Sequence, residues 1–115
     1  MDCRTEDLGD ALAFWSAALG QPGAVDPDGK YAVMQGAGNE PRVLLQAVAH
    51  ESRVHLDIET DDIAAEVARM ERLGARTVDA RPRWTVMEAP TGHRFCVVGP
   101  QRAGLQANGT LWDDG

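Results

Sequence analysis

Two helical patterns separated by 54 residues constrain the fold of this chain more than any other sequence feature. Within residues 7–20 and again within 61–74, apolar side chains recur at steps of three and four, as on one face of an α-helix. The first pattern begins at Asp7 and the second at Asp61 and Asp62, all of them suited to an N-cap, and each pattern ends at a glycine suited to a C-terminal stop. The matched positions at this offset are Asp7 and Asp61, Ala11 and Ala65, Leu19 and Leu73, and Gly20 and Gly74. Two copies at so long a period predict an internal duplication within one fold, because solenoids use shorter and more numerous repeats.

Strand-like segments flank both helical patterns in the same order. MDCRT precedes the first helix, and the strands KYAVMQG and RVLLQAV follow it after a turn-rich stretch. RVHLDIET precedes the second helix, and TVDARPR, WTVMEA and RFCVVG follow it. The sequence therefore predicts an α+β fold of two βαβββ modules, at about residues 1–50 and 53–100, in a single domain of residues 1–100. Gly and Asn breakers in 101–115 predict a separate C-terminal extension.

Charge and composition exclude several classes of partner. The formal net charge is −7, which disfavours nucleic acid and anionic membrane surfaces because both require a basic footprint. No apolar run approaches the roughly 20 residues of a membrane span. The two cysteines, Cys3 and Cys96, form no CxxC motif and follow no basic and apolar leader, so we expect reduced thiols in a cytoplasmic protein.

The helical and strand motifs resemble those of the vicinal oxygen chelate superfamily, in its glyoxalase-like and bleomycin-resistance-like branch. The resemblance rests on Asp7-Leu8-x-x-Ala11-Leu12-Ala13-Phe14-Trp15 closed by Leu19-Gly20, and on HLDIETDDIAAEVARMERLGA followed by WTVMEAPTGHRFCVV. It implies a cupped mixed sheet with the helices on its convex side, a small-molecule ligand in the cup, and a homodimer. The superfamily contains lyases, dioxygenases, isomerases, thiol transferases and antibiotic-sequestering proteins, so the fold does not determine the reaction.

Strand periodicity predicts which side chains face the ligand. Successive strand residues point to opposite faces of a sheet, and the apolar positions should pack under the helices. The predicted core of the second module is Leu56, Ile58, Val67, Met70, Phe95 and Val97. The predicted ligand-binding residues on the opposite, concave face are Gln46, His55, Asp57, Trp84, Arg94 and Cys96. A polar, partly aromatic lining of this kind suits a small organic molecule.

A metal centre is the alternative use of the same face. In metal-dependent relatives, the resemblance implies four ligand positions, of which the first falls before Met1 in this sequence. Gln46 matches the second, His55 the third, and Cys96 the last, where a glutamate is usual. One histidine, one neutral amide and one thiol suit a hard divalent ion poorly. We therefore expect no cofactor; a bound metal would take His55 with Gln46 and Cys96.

Three functions remain open at this point. The preferred function is a small-molecule-binding protein in which His55 grips the ligand, with catalysis unproven. The alternative is a metal-dependent lyase or dioxygenase acting on a substrate with adjacent oxygens. The third is an interaction module, which an apolar cup would favour. Structural roles compete with each of these, since His55 can simply hydrogen-bond Asp57 or Gln46, and Cys96 can be a small buried apolar residue.

Overall fold

The computed structural model describes residues 1–36, 41–101 and 104–112. The chain divides into two compact units, Met1–Val54 and His55–Gly115. The first unit contains β1 (Asp2–Arg4), α1 (Leu8–Leu19), β2 (Gly23–Val25), β3 (Tyr31–Met34) and β4 (Leu44–Val48). The second contains β5 (Leu56–Glu59), α2 (Ile63–Arg72), β6 (Arg76–Ala80), β7 (Trp84–Glu88), β8 (Arg94–Val98) and α3 (Leu105–Asn108). The predicted α+β class and the two βαβββ modules are confirmed. Residues 37–40, between the predicted strands KYAVMQG and RVLLQAV, lie outside the described residues.

Each unit has a four-stranded mixed sheet with an equivalent strand order. The order is β1-β4-β3-β2 in the first unit and β5-β8-β7-β6 in the second. In both, the first strand pairs in parallel with the last, and the remaining pairs are antiparallel. Asp2 lies opposite Gln46 in the first sheet, as Asp57 lies opposite Cys96 in the second. The duplication therefore extends to the register of individual residues.

Helices α1 and α2 each begin at an aspartate whose side chain caps the first turn. Asp7 Oδ1 accepts a hydrogen bond from the Gly9 amide at 2.9 Å, and Asp62 Oδ1 accepts one from Ala65 at 3.1 Å. Such caps contribute about 0.5–2 kcal/mol each. Among the described residues, no helix combines the length and apolar character needed to cross a membrane.

The predicted offset of 54 is wrong at the start of the helices and right at their ends. Asp62, not Asp61, caps α2, so the N-caps are 55 residues apart. The glycines that follow the helices, Gly20 and Gly74, keep the offset of 54, and both have positive φ, at 66° and 109°. An L-residue with a side chain rarely adopts that conformation, which explains a glycine at both positions.

A separate hydrophobic core lies between the helix and sheet of each unit. In the first unit the buried residues are Leu8, Ala32, Met34 and Leu45. In the second they are Met87, Phe95 and Val97, with Ile58, Ile63, Val67 and Met70 packed against them. Five of the six predicted core residues of the second module are therefore confirmed.

The sixth predicted core residue, Leu56, is wrong. Its side chain is 61% exposed, although it lies opposite buried Phe95 in the sheet. Leu56 is the first residue of β5, and among the described residues β5 is an edge strand that pairs only with β8. Strand parity identifies the face on which a side chain lies, but burial also requires neighbours on both sides.

The segment after Pro100 contacts β5 and α2 within the second unit. The Gln101 amide donates a hydrogen bond to Glu59 Oε1 at 2.8 Å. Further along, the Trp112 ring lies over the guanidinium of Arg69 on α2, 4.1 Å from the ring centroid. A cation–π contact at this distance is attractive, so the predicted extension has at least two points of attachment among the residues described.

Candidate functional site

Three side chains with metal-binding or nucleophilic chemistry meet on the face of the second sheet opposite α2. His55 Nε2 lies 3.3 Å from Cys96 Sγ and 3.6 Å from Asp57 Oδ1. One ligand atom from each residue falls within 4.8 Å of the other two. The sequence predicted all three on one face, and the structure brings them into contact there.

The two strands that carry this cluster explain how it forms. Phe95 and Val97 of β8 pack into the core, so Cys96 between them points to the opposite face. Because β5 runs parallel to β8 with Asp57 opposite Cys96, the carboxylate lies beside the thiol. His55 immediately precedes β5, and its ring reaches back to Cys96.

The cluster is partly accessible. The side chains of His55 and Asp57 are 21% and 52% exposed, and Cys96 is half-buried. Val86 and Val98, which flank Cys96 on the same face, are also half-buried. Polar groups of limited exposure beside apolar side chains are typical of small-molecule sites.

The second cysteine has a different environment. Cys3 packs against the core of the first unit, on the α1 side of its sheet. Burial raises the pKa of its thiol above the ordinary value, since desolvation disfavours the thiolate. Cys3 is therefore a half-buried thiol packed against the core, whereas Cys96 lies on the face of its sheet away from the helix and contacts an imidazole.

Arg94 lies on the same face as Cys96 and is paired with Glu88, which was not among the predicted ligand-binding residues. Arg94 Nε donates to Glu88 Oε1 at 3.1 Å, and Arg76 Nε donates to Glu88 Oε2 at 2.9 Å. Hydrogen bonds from Arg76 and then Arg94 lower the pKa of Glu88 below its ordinary value of 4.5. Parity could have identified Glu88, since it alternates with Trp84 and Val86 on β7. Arg76 required the strand register, which places it opposite Glu88.

Trp84 lies further along the same face of the sheet. It is opposite Val98 at one end of β7, whereas Glu88, opposite Arg94, is at the other end. Val86, which faces Cys96, lies midway, so Trp84 is two residues, or about 7 Å of strand, from the position that faces Cys96. Trp84 is 42% exposed, and its participation in a ligand site stays a prediction.

Gln46 belongs to the first unit. In its sheet Asp2 and Gln46 pair as Asp57 and Cys96 do in the second, and both contact neighbouring side chains. Gln46 Nε2 donates to the Tyr31 hydroxyl at 3.2 Å. Asp2, opposite Gln46, is 8% exposed and has His50 Nε2 and Arg53 Nε at 3.6 and 3.7 Å from Oδ2. The participation of Gln46 in a ligand site stays a prediction.

A crevice of about 600 Å³ lies elsewhere in the first unit. It is lined by Arg4, Thr5, Glu6, Ala47, Val48 and Ala49. The charged groups in this lining are Arg4 and Glu6, and the lining contains neither histidine nor cysteine. The His55 cluster is the stronger candidate, because volume alone supplies no specific interaction with a ligand.

Several solved structures have limited similarity to this chain. The chain is similar to trypanothione-dependent glyoxalase I of Leishmania major, with 18% identity and a TM-score of 0.41 over 86% of this chain and 83% of that one. It is also similar to lactoylglutathione lyase of Agrobacterium tumefaciens, with 16% identity and a TM-score of 0.38 over 86% and 90% of the two chains.

A third similar structure is the bleomycin-binding protein of Streptomyces verticillus, solved with copper(II)-bleomycin, with 16% identity and a TM-score of 0.35 over 87% and 93% of the chains. The comparison with curated proteins found no match. The family model described as a glyoxalase-like domain matches residues 1–98, which is most of the sequence. The chain therefore belongs to the glyoxalase-like domain family.

Proposed function

We propose that this protein binds a small organic molecule on the face of the second sheet opposite α2, with His55 and Cys96 at the centre of the site. The contact between His55 Nε2 and Cys96 Sγ at 3.3 Å carries the proposal. An imidazole and a thiol brought together outside the core supply directional groups for a ligand. Asp57, at 3.6 Å from the same nitrogen, adds an acceptor.

The surroundings of this pair favour binding over a purely structural role. The pair lies on the face of the sheet opposite fully buried Met87 and Val97, among half-buried valines and beside an exposed carboxylate. Limited exposure lets a ligand displace water from both polar and apolar groups, which is how most small-molecule sites gain affinity and orientation.

A thermal-shift screen of metabolites, followed by calorimetry on the hits, tests the proposal. A ligand that binds the native state alone raises stability by RT ln(1 + [L]/Kd). We expect His55→Gln and Cys96→Ala to weaken a true hit at least tenfold. His93→Gln is the matched control, because His93 contacts the Thr91 hydroxyl in a turn at 2.8 Å. Equal affinity in wild type and in both site variants would refute the proposed site.

A zinc centre is the second candidate, and the clustering of three ligand types favours it. Zinc binds N, S and O donors at about 2.0–2.3 Å, so donors around a tetrahedral ion lie roughly 3.3–3.7 Å apart. The distances from His55 Nε2 to Cys96 and Asp57 fall in that range. Residues His55, Asp57 and Cys96 would hold the ion, with Asp57 in place of the Gln46 expected from sequence. A zinc ion with three protein ligands acts as a Lewis acid at its open position.

Elemental analysis separates the two candidates. The proposal of a metal-free binding protein stands if purified protein, offered zinc, nickel, cobalt, iron and manganese separately, retains no stoichiometric ion. One ion per chain that is lost in both His55→Ala and Asp57→Asn, but kept in Cys3→Ser, would move the metal-dependent enzyme to first place.

A cytoplasmic location and a homodimer complete the proposal. Neither Cys3 nor Cys96 forms a disulfide, which agrees with a reducing compartment. The homodimer follows from the family alone, and sedimentation equilibrium of the purified chain tests it. A monomer at micromolar concentration would remove the dimer from the proposal.

A further inference from the structure

Charged side chains from three neighbouring strands meet at the His55 end of the second sheet. Arg76 on β6, Glu88 on β7 and Arg94 on β8 form a continuous row, with Glu88 between the two arginines at 2.9 and 3.1 Å. His55 precedes β5 at the same end, since Leu56 lies opposite Phe95, the residue after Arg94. The row therefore leads directly to the His55–Cys96 pair.

The row has more positive than negative charge. Two guanidinium groups share one carboxylate, and the described part of the chain records no other partner for Arg76 or Arg94. The net formal charge of the three residues is +1, in a protein of net charge −7. At the other end of the sheet, Arg81 and Asp79 form a one-to-one pair at 2.9 Å. The cations outnumber the carboxylates within the row, and the carboxylate of Asp57 beside His55 brings the formal charge of the whole site to zero.

Both arginines retain donor capacity. A guanidinium carries five N–H donors in a planar fork, and the contacts with Glu88 use Nε of each arginine. The side chains of Arg76 and Arg94 are 62% and 33% exposed. Planar, accessible guanidinium groups bind carboxylates and phosphates through paired, charge-assisted hydrogen bonds.

We propose that Arg76 and Arg94 form an anion subsite for a carboxylate or phosphate group of the molecule bound at His55 and Cys96. This inference rests on the proposed function and narrows its ligand to a small organic anion. Glu88 accepts a hydrogen bond from each guanidinium group and competes with the ligand for both. The same two hydrogen bonds lower the pKa of Glu88.

An NMR titration with inorganic phosphate tests the subsite on the full chain. Phosphate replaces chloride at constant ionic strength, so that screening stays fixed, and the Nε–Hε resonances of the arginines are followed. We expect saturable shifts at Arg76 and Arg94. Arg76→Gln and Arg94→Gln should each weaken the apparent affinity at least fivefold. Glu88→Gln should strengthen it severalfold, because it removes the competing carboxylate.

Arg81→Gln is the matched control, since it removes an exposed arginine from a one-to-one ion pair on the same sheet. Phosphate affinity should be unchanged in that variant. Shifts that are linear in phosphate, or equal in size at Arg81, would show only nonspecific ion association and overturn the inference. So would a Glu88→Gln variant that binds phosphate no better than wild type.

The phosphate titration tests the anion subsite, and the metabolite screen tests the proposed function, so that either can be refuted without the other. Hits that bind at His55 but have the same Kd in Arg76→Gln would remove the anion subsite and leave the proposed function intact. A saturable phosphate site that depends on Arg76 and Arg94, in a protein whose screen gives no His55-dependent hit, would support the subsite and remove the proposed function.

Discussion

His55 Nε2 lies 3.3 Å from Cys96 Sγ, across two parallel strands and 41 residues of sequence. No local rule brings these residues together. Their contact depends on the pairing of β5 with β8, in which Asp57 lies opposite Cys96. The same pairing in the first unit joins Asp2 to Gln46, where a carboxylate and an amide occupy the equivalent places. One duplicated framework therefore presents two different sets of chemical groups.

The first prediction concerns the energy of that contact. A double-mutant cycle with His55→Ala and Cys96→Ala should give a coupling free energy of about 0.5–1.5 kcal/mol, the usual range for a partly buried hydrogen bond. Urea denaturation of the wild type, both single variants and the double variant measures it. The His93–Thr91 contact in an exposed turn is the control cycle, with coupling below about 0.5 kcal/mol. A near-zero value for the first cycle would show that the contact does not persist in solution.

The second prediction concerns the core of the second unit. Met87 is fully buried, whereas Leu56 is 61% exposed. Met87→Ala should cost about 2–5 kcal/mol, because it leaves a cavity. Leu56→Ala should change the free energy of unfolding by about 0.5 kcal/mol or less. Urea denaturation measures both changes in the free energy of unfolding, from the shift of the denaturant midpoint. Equal losses would mean that Leu56 is buried in solution, by a partner or by a different arrangement of β5.

Most of the fold could be predicted because its signals are local. The capping aspartates, the closing glycines and the alternation of β7 and β8 each reside in a few consecutive residues. Leu56 was wrong because exposure at a sheet edge depends on which strands are neighbours, and that is a property of topology. Asp61 was matched in place of Asp62 because two adjacent aspartates offer the same capping chemistry, and the geometry of the turn decides between them.

The site was predictable only where strand parity sufficed. Parity placed His55, Asp57 and Cys96 on one face, and the structure shows them in contact. It also grouped Trp84 with them, and the register places Trp84 opposite Val98, two residues from Cys96 along β8. Arg76 was missed because its relation to Glu88 spans 12 residues and a hairpin. Parity selects a face, and register selects a position on that face.

The third prediction concerns the pH dependence of stability. The folded-state pKa of Glu88 lies below the ordinary value of 4.5, because Arg76 and Arg94 donate hydrogen bonds to the carboxylate. A carboxyl group of this kind stabilises the fold above pH 4.5, and the contribution is lost as the pH falls through the lowered value. The stability difference between wild type and Glu88→Gln should therefore be largest near neutrality and shrink below pH 4.5. Urea denaturation between pH 3 and 7 measures it. A difference that is constant over this range would contradict the role of the two arginines.

The last prediction concerns the C-terminal segment. The Trp112 ring lies 4.1 Å from the Arg69 guanidinium, and Arg69 in turn pairs with Glu66 on the same helix. The side chains of Arg69 and Glu66 are only 13% and 10% exposed, so the cation–π contact acts on a partly desolvated cation. Trp112→Ala should therefore cost about 1–2 kcal/mol, toward the upper part of the range for such contacts.

Leu111→Ala is the matched control for the tail, because Leu111 is 88% exposed and its removal should leave stability within about 0.5 kcal/mol of wild type. Thermal unfolding of both variants, with Arg69→Leu as a third, measures the difference. In the Arg69→Leu background, Trp112→Ala should lose most of its effect, since the cation that the ring covers is gone. If Leu111→Ala and Trp112→Ala destabilise equally, or if the Trp112 effect survives the loss of Arg69, the segment is held by general apolar contact and not by the ring over the guanidinium.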